Sequence, residues 1–227
     1  MHPRKTRSKN NQFGNERITM KTILCLLAIL LGAVTPGYAC YSGLTVIPTV
    51  DTVGDKKYGI EFQIDGAFSG SEVDTNVINT QYGFTDRFEA GIDFDLSTDA
   101  DPRILLNAKY VLAQSANQKQ ALAIGVCNAA GRFKSNPYAV GMQDLGIARL
   151  HAGIIRIDSR TRWFAGTDHS INDKVTLMAD YTNGDENYSS VGVNYQAAEN
   201  FGVMLGTQFP NQGSDERFTC HLVFSGP

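Results

Sequence analysis

Cysteine is scarce in this chain, four in 227 residues, and no two stand in a C-x-x-C spacing. Three of the four, Cys40, Cys127 and Cys220, lie beyond an N-terminal leader. An odd number without knuckle spacing gives neither a disulfide framework nor a metal site. No GK[ST] sequence is present to cradle a phosphate, and no G-x-S-x-G elbow to present a nucleophilic serine. Past the leader, no stretch keeps a helical period between caps. P-loop nucleotide chemistry, α/β-hydrolase chemistry and helical folds are therefore all unsupported, and no cofactor is expected.

What is present begins with an export signal. Lys21 to Ala39 reads as a basic start, an apolar run from Thr22 to Val34, and a small-residue cleavage site at Pro36-Gly37-Tyr38-Ala39. The run is too short for a membrane-spanning helix. Residues 1–39 are thus expected to be a cleaved leader, with Met20-Lys21-Thr22 a normal signal opening and Met20 an alternative start. Cys40 follows directly, which makes it a lipidation candidate. Gly37 stands where a lipobox carries an aliphatic residue and suits ordinary signal peptidase equally. Removing the leader takes six basic residues and one acid from the 20 and 23 of the whole chain, leaving 14 against 22 and a net charge near −8. Such a balance argues against nucleic acid as a partner and suits a cation-attracting surface or lumen.

From Tyr58 onward the dominant period is two. In Tyr58-Gly59-Ile60-Glu61-Phe62-Gln63-Ile64-Asp65 the even positions are apolar and the odd ones polar or glycine. The alternation returns at Phe88–Leu96, Val175–Tyr181 and Val191–Tyr195. Tight links at Thr85-Asp86, Ser115-Ala116-Asn117, Asp144-Leu145-Gly146, Asn172-Asp173 and Ala198-Glu199-Asn200 recur roughly 27 to 31 residues apart, as a strand-loop-strand repeat requires. Other links alternate with them, several longer and richer in Gly, Pro, Asp and Ser. Between the links fall about twelve strands, near 58–68, 73–83, 87–96, 103–113, 119–129, 137–143, 148–157, 161–171, 174–182, 187–197, 200–209 and 216–225. An even strand number with one set of short turns and one of longer loops is the sequence form of an all-β, antiparallel, up-and-down transmembrane barrel. Residues 58–227 are assigned to it, and 40–57 to an N-terminal segment on the periplasmic side.

Alternation alone does not decide whether the apolar face is buried in a soluble sandwich or turned to lipid. A small or acidic opposite face (Gly59, Glu61, Asp65, Gly91, Asp93, Gly125, Gly192, Gly202, Gly206) suits a lumen. Aromatics near strand ends, among them Tyr58, Phe84, Tyr110, Trp163, Tyr195 and Phe224, suit interfacial girdles. The phrases Tyr82-Gly83-Phe84-Thr85-Asp86-Arg87-Phe88-Glu89-Ala90-Gly91 and Tyr195-Gln196-Ala197-Ala198-Glu199-Asn200-Phe201-Gly202-Val203 resemble periplasmic hairpins of bacterial outer-membrane β-barrel proteins. The stretch Ser42–Val50 weakly resembles the opening segment of barrels linked to exopolysaccharide export. The first resemblance implies a non-enzymatic, porin-like barrel in the cell outer membrane, with lipid and small ions or solutes as partners. The alternative is a secreted or lipid-tethered soluble β-sandwich that binds a ligand.

With even positions outward, Glu61, Gln63, Asp65, Glu89, Asp93 and Asp95 point inward, and Arg103, Asn107 and Lys109 on the next strand can pair with them. Charges on a pore wall set ion selectivity, so these nine residues are the candidate lining. The same charges could instead pair and seal a narrow barrel. Asp168-His169-Ser170 holds an acid, a base and a nucleophile, but neighbours on one strand point to opposite faces and make no triad. His151 and His221 read as solvated or lumen histidines rather than metal ligands. Cys127 and Cys220 fall on opposite faces, which argues against a bond between them.

Overall fold

The computed structural model describes residues 43–69, 73–97, 103–129, 135–213 and 215–227. The leader and Cys40 lie outside the described residues. Twelve strands follow in chain order: β1 (Tyr58–Ala67), β2 (Val73–Thr85), β3 (Phe88–Asp95), β4 (Arg103–Gln114), β5 (Gln120–Ala129), β6 (Asn136–Asp144), β7 (Arg149–Ile157), β8 (Arg160–Asn172), β9 (Val175–Thr182), β10 (Tyr188–Ala198), β11 (Phe201–Pro210) and β12 (Arg217–Gly226). No strand end departs from its expected place by more than two residues. Each strand pairs antiparallel with the next, and β1 pairs with β12, so the sheet closes into an up-and-down barrel. The two-sheet sandwich is overturned, because a single closed sheet has no second sheet to pack on.

The tight turns share the end of the barrel that carries the start of β1 and the end of β12. Their side chains hold them. The Thr85 hydroxyl accepts from the N–H groups of Arg87 and Phe88, and the Asn172 carbonyl from those of Lys174 and Val175. Register shifts fall just before four of these turns, at Gly83/Thr85, Val111/Ala113, Ser170/Asn172 and Gln196/Ala198. Each is a bulge that strengthens the local twist where the strands curl into the turn.

The alternation sorts side chains cleanly. In β1, Gly59, Glu61, Gln63 and Asp65 are buried while Tyr58 and Ile60 are exposed. Around the barrel the exposed positions are apolar: Ile92, Phe94, Ile104, Leu106, Leu122, Ile124, Ile154, Leu177, Val191 and Leu205 among them. Aromatic residues cap this band, with Trp163 against Tyr181 and Phe201 against Phe224 at ring separations of 5.1 and 4.7 Å. An apolar belt of this extent is not tolerated in water; it is the face that an outer-membrane barrel turns to lipid.

Residues 43–53 run inside the barrel. Gly43 bridges Pro48, and the Leu44 N–H bonds the Ile47 carbonyl at 2.9 Å, so the segment turns back on itself around Thr45-Val46. Leu44, Ile47 and Val50 join the inward side chains of β4 to β8, chiefly Val111, Ala123, Cys127, Tyr138, Val140, Ile155 and Phe164, in one apolar cluster. Glycines opposite give the segment room: a Cβ on Gly166 would lie 2.7 Å from Ile47 Cδ1, and one on Gly206 2.8 Å from Thr45 Cγ2. At the tight-turn end the Lys56 N–H bonds the Gly83 carbonyl and the Gly83 N–H the Lys57 carbonyl, which leads the chain into β1.

The outward face makes a direct test. Ile124→Arg, at mid-height of β5, should lower the unfolding free energy in phospholipid vesicles by about 2–4 kcal/mol, while Ile147→Arg, in the β6–β7 turn, should cost no more than about 1 kcal/mol. Urea titration followed by Trp163 fluorescence reads both, and equal costs at the two positions would place the belt outside hydrocarbon.

Candidate functional site in the barrel interior

All nine candidate lining residues are on the inner wall. Glu61, Gln63, Asp65, Glu89, Asp93, Asp95, Asn107 and Lys109 are buried, and Arg103 is half-buried. Register brings β3 and β4 partners together: Glu89 lies opposite Lys109 and Asp95 opposite Arg103. Lys109 Nζ is 3.2 Å from Glu89 Oε1, the Asn107 amide donates to Asp93 Oδ2 at 2.8 Å, and Arg103 reaches Asp95 at 3.9 Å.

On β1, β2 and β12 the polar groups form a continuous line. The Asn79 amide donates to Glu61 Oε1 at 2.6 Å, and Glu61 Oε2 lies 3.1 Å from His221 Nδ1. His221 Nε2 is 2.8 Å from the Thr219 hydroxyl, which donates to Asp65 Oδ1 at 2.5 Å, and Gln63 donates to Asp65 Oδ2 at 2.8 Å. Carboxylate, imidazole and hydroxyl in sequence resemble a hydrolytic triad, yet the proton logic differs. The Thr219 hydroxyl donates to Asp65, so it is not poised to give its proton to the imidazole.

A third cluster was not among the expected lining residues. Asp168 takes Arg149 Nε at 2.9 Å on one oxygen and lies 2.8 Å from His151 Nε2 through the other. Arg149 Nη1 also reaches Asp51 of the inner segment at 3.0 Å. The Asp180 carboxylate faces three successive backbone N–H groups, those of Thr45, Val46 and Ile47, with Val46 N at 3.1 Å, and also accepts from Ser190. Glu89 accepts from the Val53 N–H at 2.8 Å, and Lys109 donates to the Asp51 carbonyl at 2.5 Å. The inner segment is therefore fastened by the same charges that line the wall. His151 was already a lumen candidate from the sequence, and strand parity on β7, β8 and β9 would have added Arg149, Asp168 and Asp180; the segment itself left no period to read.

Asp168, His169 and Ser170 are not brought together. Asp168 points inward, His169 meets the Ile147 carbonyl outside, and the Ser170 hydroxyl is 3.1 Å from that of Thr176. Cys220 carries a free thiol on the outward parity of β12, whereas Cys127 is inward, buried and disulfide-bonded to a partner outside the described residues. Cys127 and Cys220 are thus not bonded to each other, as their opposite faces led one to expect. Beside the inner segment, a cavity of about 200 Å³ remains, lined by Leu44, Glu61, Met178, Asn194, Met204 and His221 among others.

A closed twelve-stranded antiparallel barrel with an apolar outside is the architecture of outer-membrane β-barrels. No protein-family model matches the chain, and no curated protein does. Solved structures do match. The KdgM porin superposes with a TM-score of 0.56 at 13% identity, over 74% of this chain and 99% of that one. The KdgM porin in complex with disordered oligogalacturonate gives 0.58 at 12% identity, over 74% and 99%. The NanC porin gives 0.50 at 9% identity, over 74% and 98%. At these identities the likeness is one of fold.

The buried pair on β3 and β4 yields a stability prediction. Lys109→Met removes the ammonium that faces the buried Glu89 carboxylate and should cost about 3–5 kcal/mol, and adding Glu89→Gln should return most of it. Urea unfolding of the single and double variants decides; a double variant no better than the single would show that the charge pair is not what the site needs.

Proposed function

We propose that the chain is a non-enzymatic, porin-like barrel of the bacterial outer membrane, exported by a cleaved leader and offering a narrow passage to small ions or solutes. The observation that carries this reading is the inversion of faces: a closed barrel whose outside is apolar and whose inside is charged is built to stand in hydrocarbon around a polar lumen. Carboxylates outnumber cationic groups after the leader, with 14 Lys+Arg against 22 Asp+Glu. A local negative potential of that kind favours cations over anions in a pore. Oligogalacturonate, found with KdgM, is a polyanion, and the acidic balance of this chain supports a neutral or cationic solute instead.

A second reading has its own observation behind it. The candidate lining residues pair with one another and with the inner segment, which supports a lumen sealed at rest. Planar-bilayer recording separates the two. The porin reading expects discrete current steps with a reversal potential on the cation side of a KCl gradient, moved toward zero by Glu61→Gln with Asp93→Asn. Absence of current from inserted, heat-modifiable protein would instead support the sealed barrel. Fractionation tests the location: the protein should stay in carbonate-resistant outer-membrane material with Cys40→Ser in place.

A further inference from the structure

The outer wall is not evenly filled. The outward side chains Ala90 of β3 and Ala108 of β4 stand directly opposite each other, and Tyr82 of β2 is the neighbour of Ala90 on its other side. Two small residues side by side leave a hollow of about 690 Å³, walled by Tyr58 and Tyr82 toward β1 and by Ile92 and Leu106 toward mid-barrel. Thr80 adds little bulk to it, because its hydroxyl is turned onto the backbone of Ile92, donating to the carbonyl at 2.5 Å and accepting from the N–H at 3.2 Å. Phe84 and Phe88, stacked at 5.4 Å, stand between the hollow and the β2–β3 turn. Aromatic residues at that height mark the membrane interface, and short turns of such barrels face the periplasm. The hollow thus opens to the hydrocarbon of the periplasmic leaflet.

Beyond the aromatic edge the charge is of one sign. Lys57 leads into β1, Arg87 leads into β3 with its carbonyl bonded to the Val111 N–H, and Lys119 leads into β5. All three are exposed, and their side chains meet no partner among the described residues. The acids beside them are already engaged: Asp55 lies 3.7 Å from Lys56, and Asp86 accepts from the Asp55 N–H. Across the barrel the same end carries Asp144, Asp173 and Glu199 with Lys174, while Arg149 is turned inward onto Asp168. We propose that this sector binds one anionic phospholipid of the periplasmic leaflet, an acyl chain lying over Ala90 and Ala108 and the phosphate held at Arg87 and Lys119, an inference that rests on the porin-like reading. A guanidinium fork and an ammonium suit a phosphate, and basic residues at a membrane surface select anionic headgroups. A zwitterionic lipid would bring an ammonium into the same cationic cluster. A second copy of the chain docked by the same face would set Arg87 and Lys119 against their own images, since a two-fold contact joins like to like.

Native mass spectrometry of the full-length protein, released from vesicles of phosphatidylcholine and phosphatidylglycerol in equal parts, reads the site. The wild type should retain one phosphatidylglycerol, severalfold in preference to phosphatidylcholine. Arg87→Gln with Lys119→Gln should lower that preference severalfold. Ala108→Phe, which fills the hollow, should lower retention of either lipid, and Lys174→Gln, across the barrel, should change neither. Heat-modifiable migration confirms that each variant folds. Equal retention of the two lipids by the wild type, or a preference that survives the loss of Arg87 and Lys119, overturns the site. So does a dimer that Ala108→Phe dissolves, which would give the hollow to a second copy. Wild-type protein that never enters the vesicles brings down the porin-like reading and the site together, whereas insertion without lipid preference strikes the site alone.

Discussion

Ten residue pairs, from Tyr58 opposite Gly226 to Ala67 opposite Arg217, join the first strand to the last. Without that ladder β1 and β12 would each present a row of unpaired N–H and C=O groups. In hydrocarbon no water is at hand to satisfy such groups, and each costs several kcal/mol. Closure also fixes which face is which. Side chains alternate with period two, so slipping one strand by a single residue would send its carboxylates into the apolar exterior and its aliphatic residues into the lumen. Glu61, Glu89, Asp93 and Lys109 are inside because the ring of ladders leaves them no other place.

Once closed, the barrel must fill its interior, and it does so unevenly. From β4 to β8 the inner face carries Val111, Ala121, Ala123, Tyr138, Val140, Ile155 and Phe164. From β12 through β1 to β3 it carries Thr219, His221, Glu61, Gln63, Asp65, Asn79 and Asp93. Such a two-sided interior suits an amphipathic guest better than water alone. The inner segment meets that description, with Leu44, Ile47 and Val50 toward the apolar sector and its backbone polar groups toward Asp180, Glu89 and Lys109.

The barrel was legible in the sequence because its determinants are local. Two-residue alternation marks each strand, and Thr85, Asn117, Asp144 and Asn172 mark turns that their own side chains then hold. The inward placement of the nine candidate residues followed from parity alone. What sequence could not carry was the guest. Residues 43–53 pair with no strand, so they have no period, and their fastenings lie 98 positions away at Arg149 and 134 at Asp180.

That path changes what the inner carboxylates are for. A chain segment inside a barrel has no ladder to satisfy its backbone, and a buried N–H without an acceptor is costly. Asp180 and Glu89 supply acceptors to the Val46 and Val53 N–H groups, and Lys109 supplies a donor to the Asp51 carbonyl. Part of the acidic wall is therefore there to solvate a peptide, not to attract an ion. The same groups would be uncovered if the segment left: Asp180 would lose its amide donors, and Arg149 would keep Asp168 but lose Asp51. An emptied lumen would thus be more strongly charged than the occupied one.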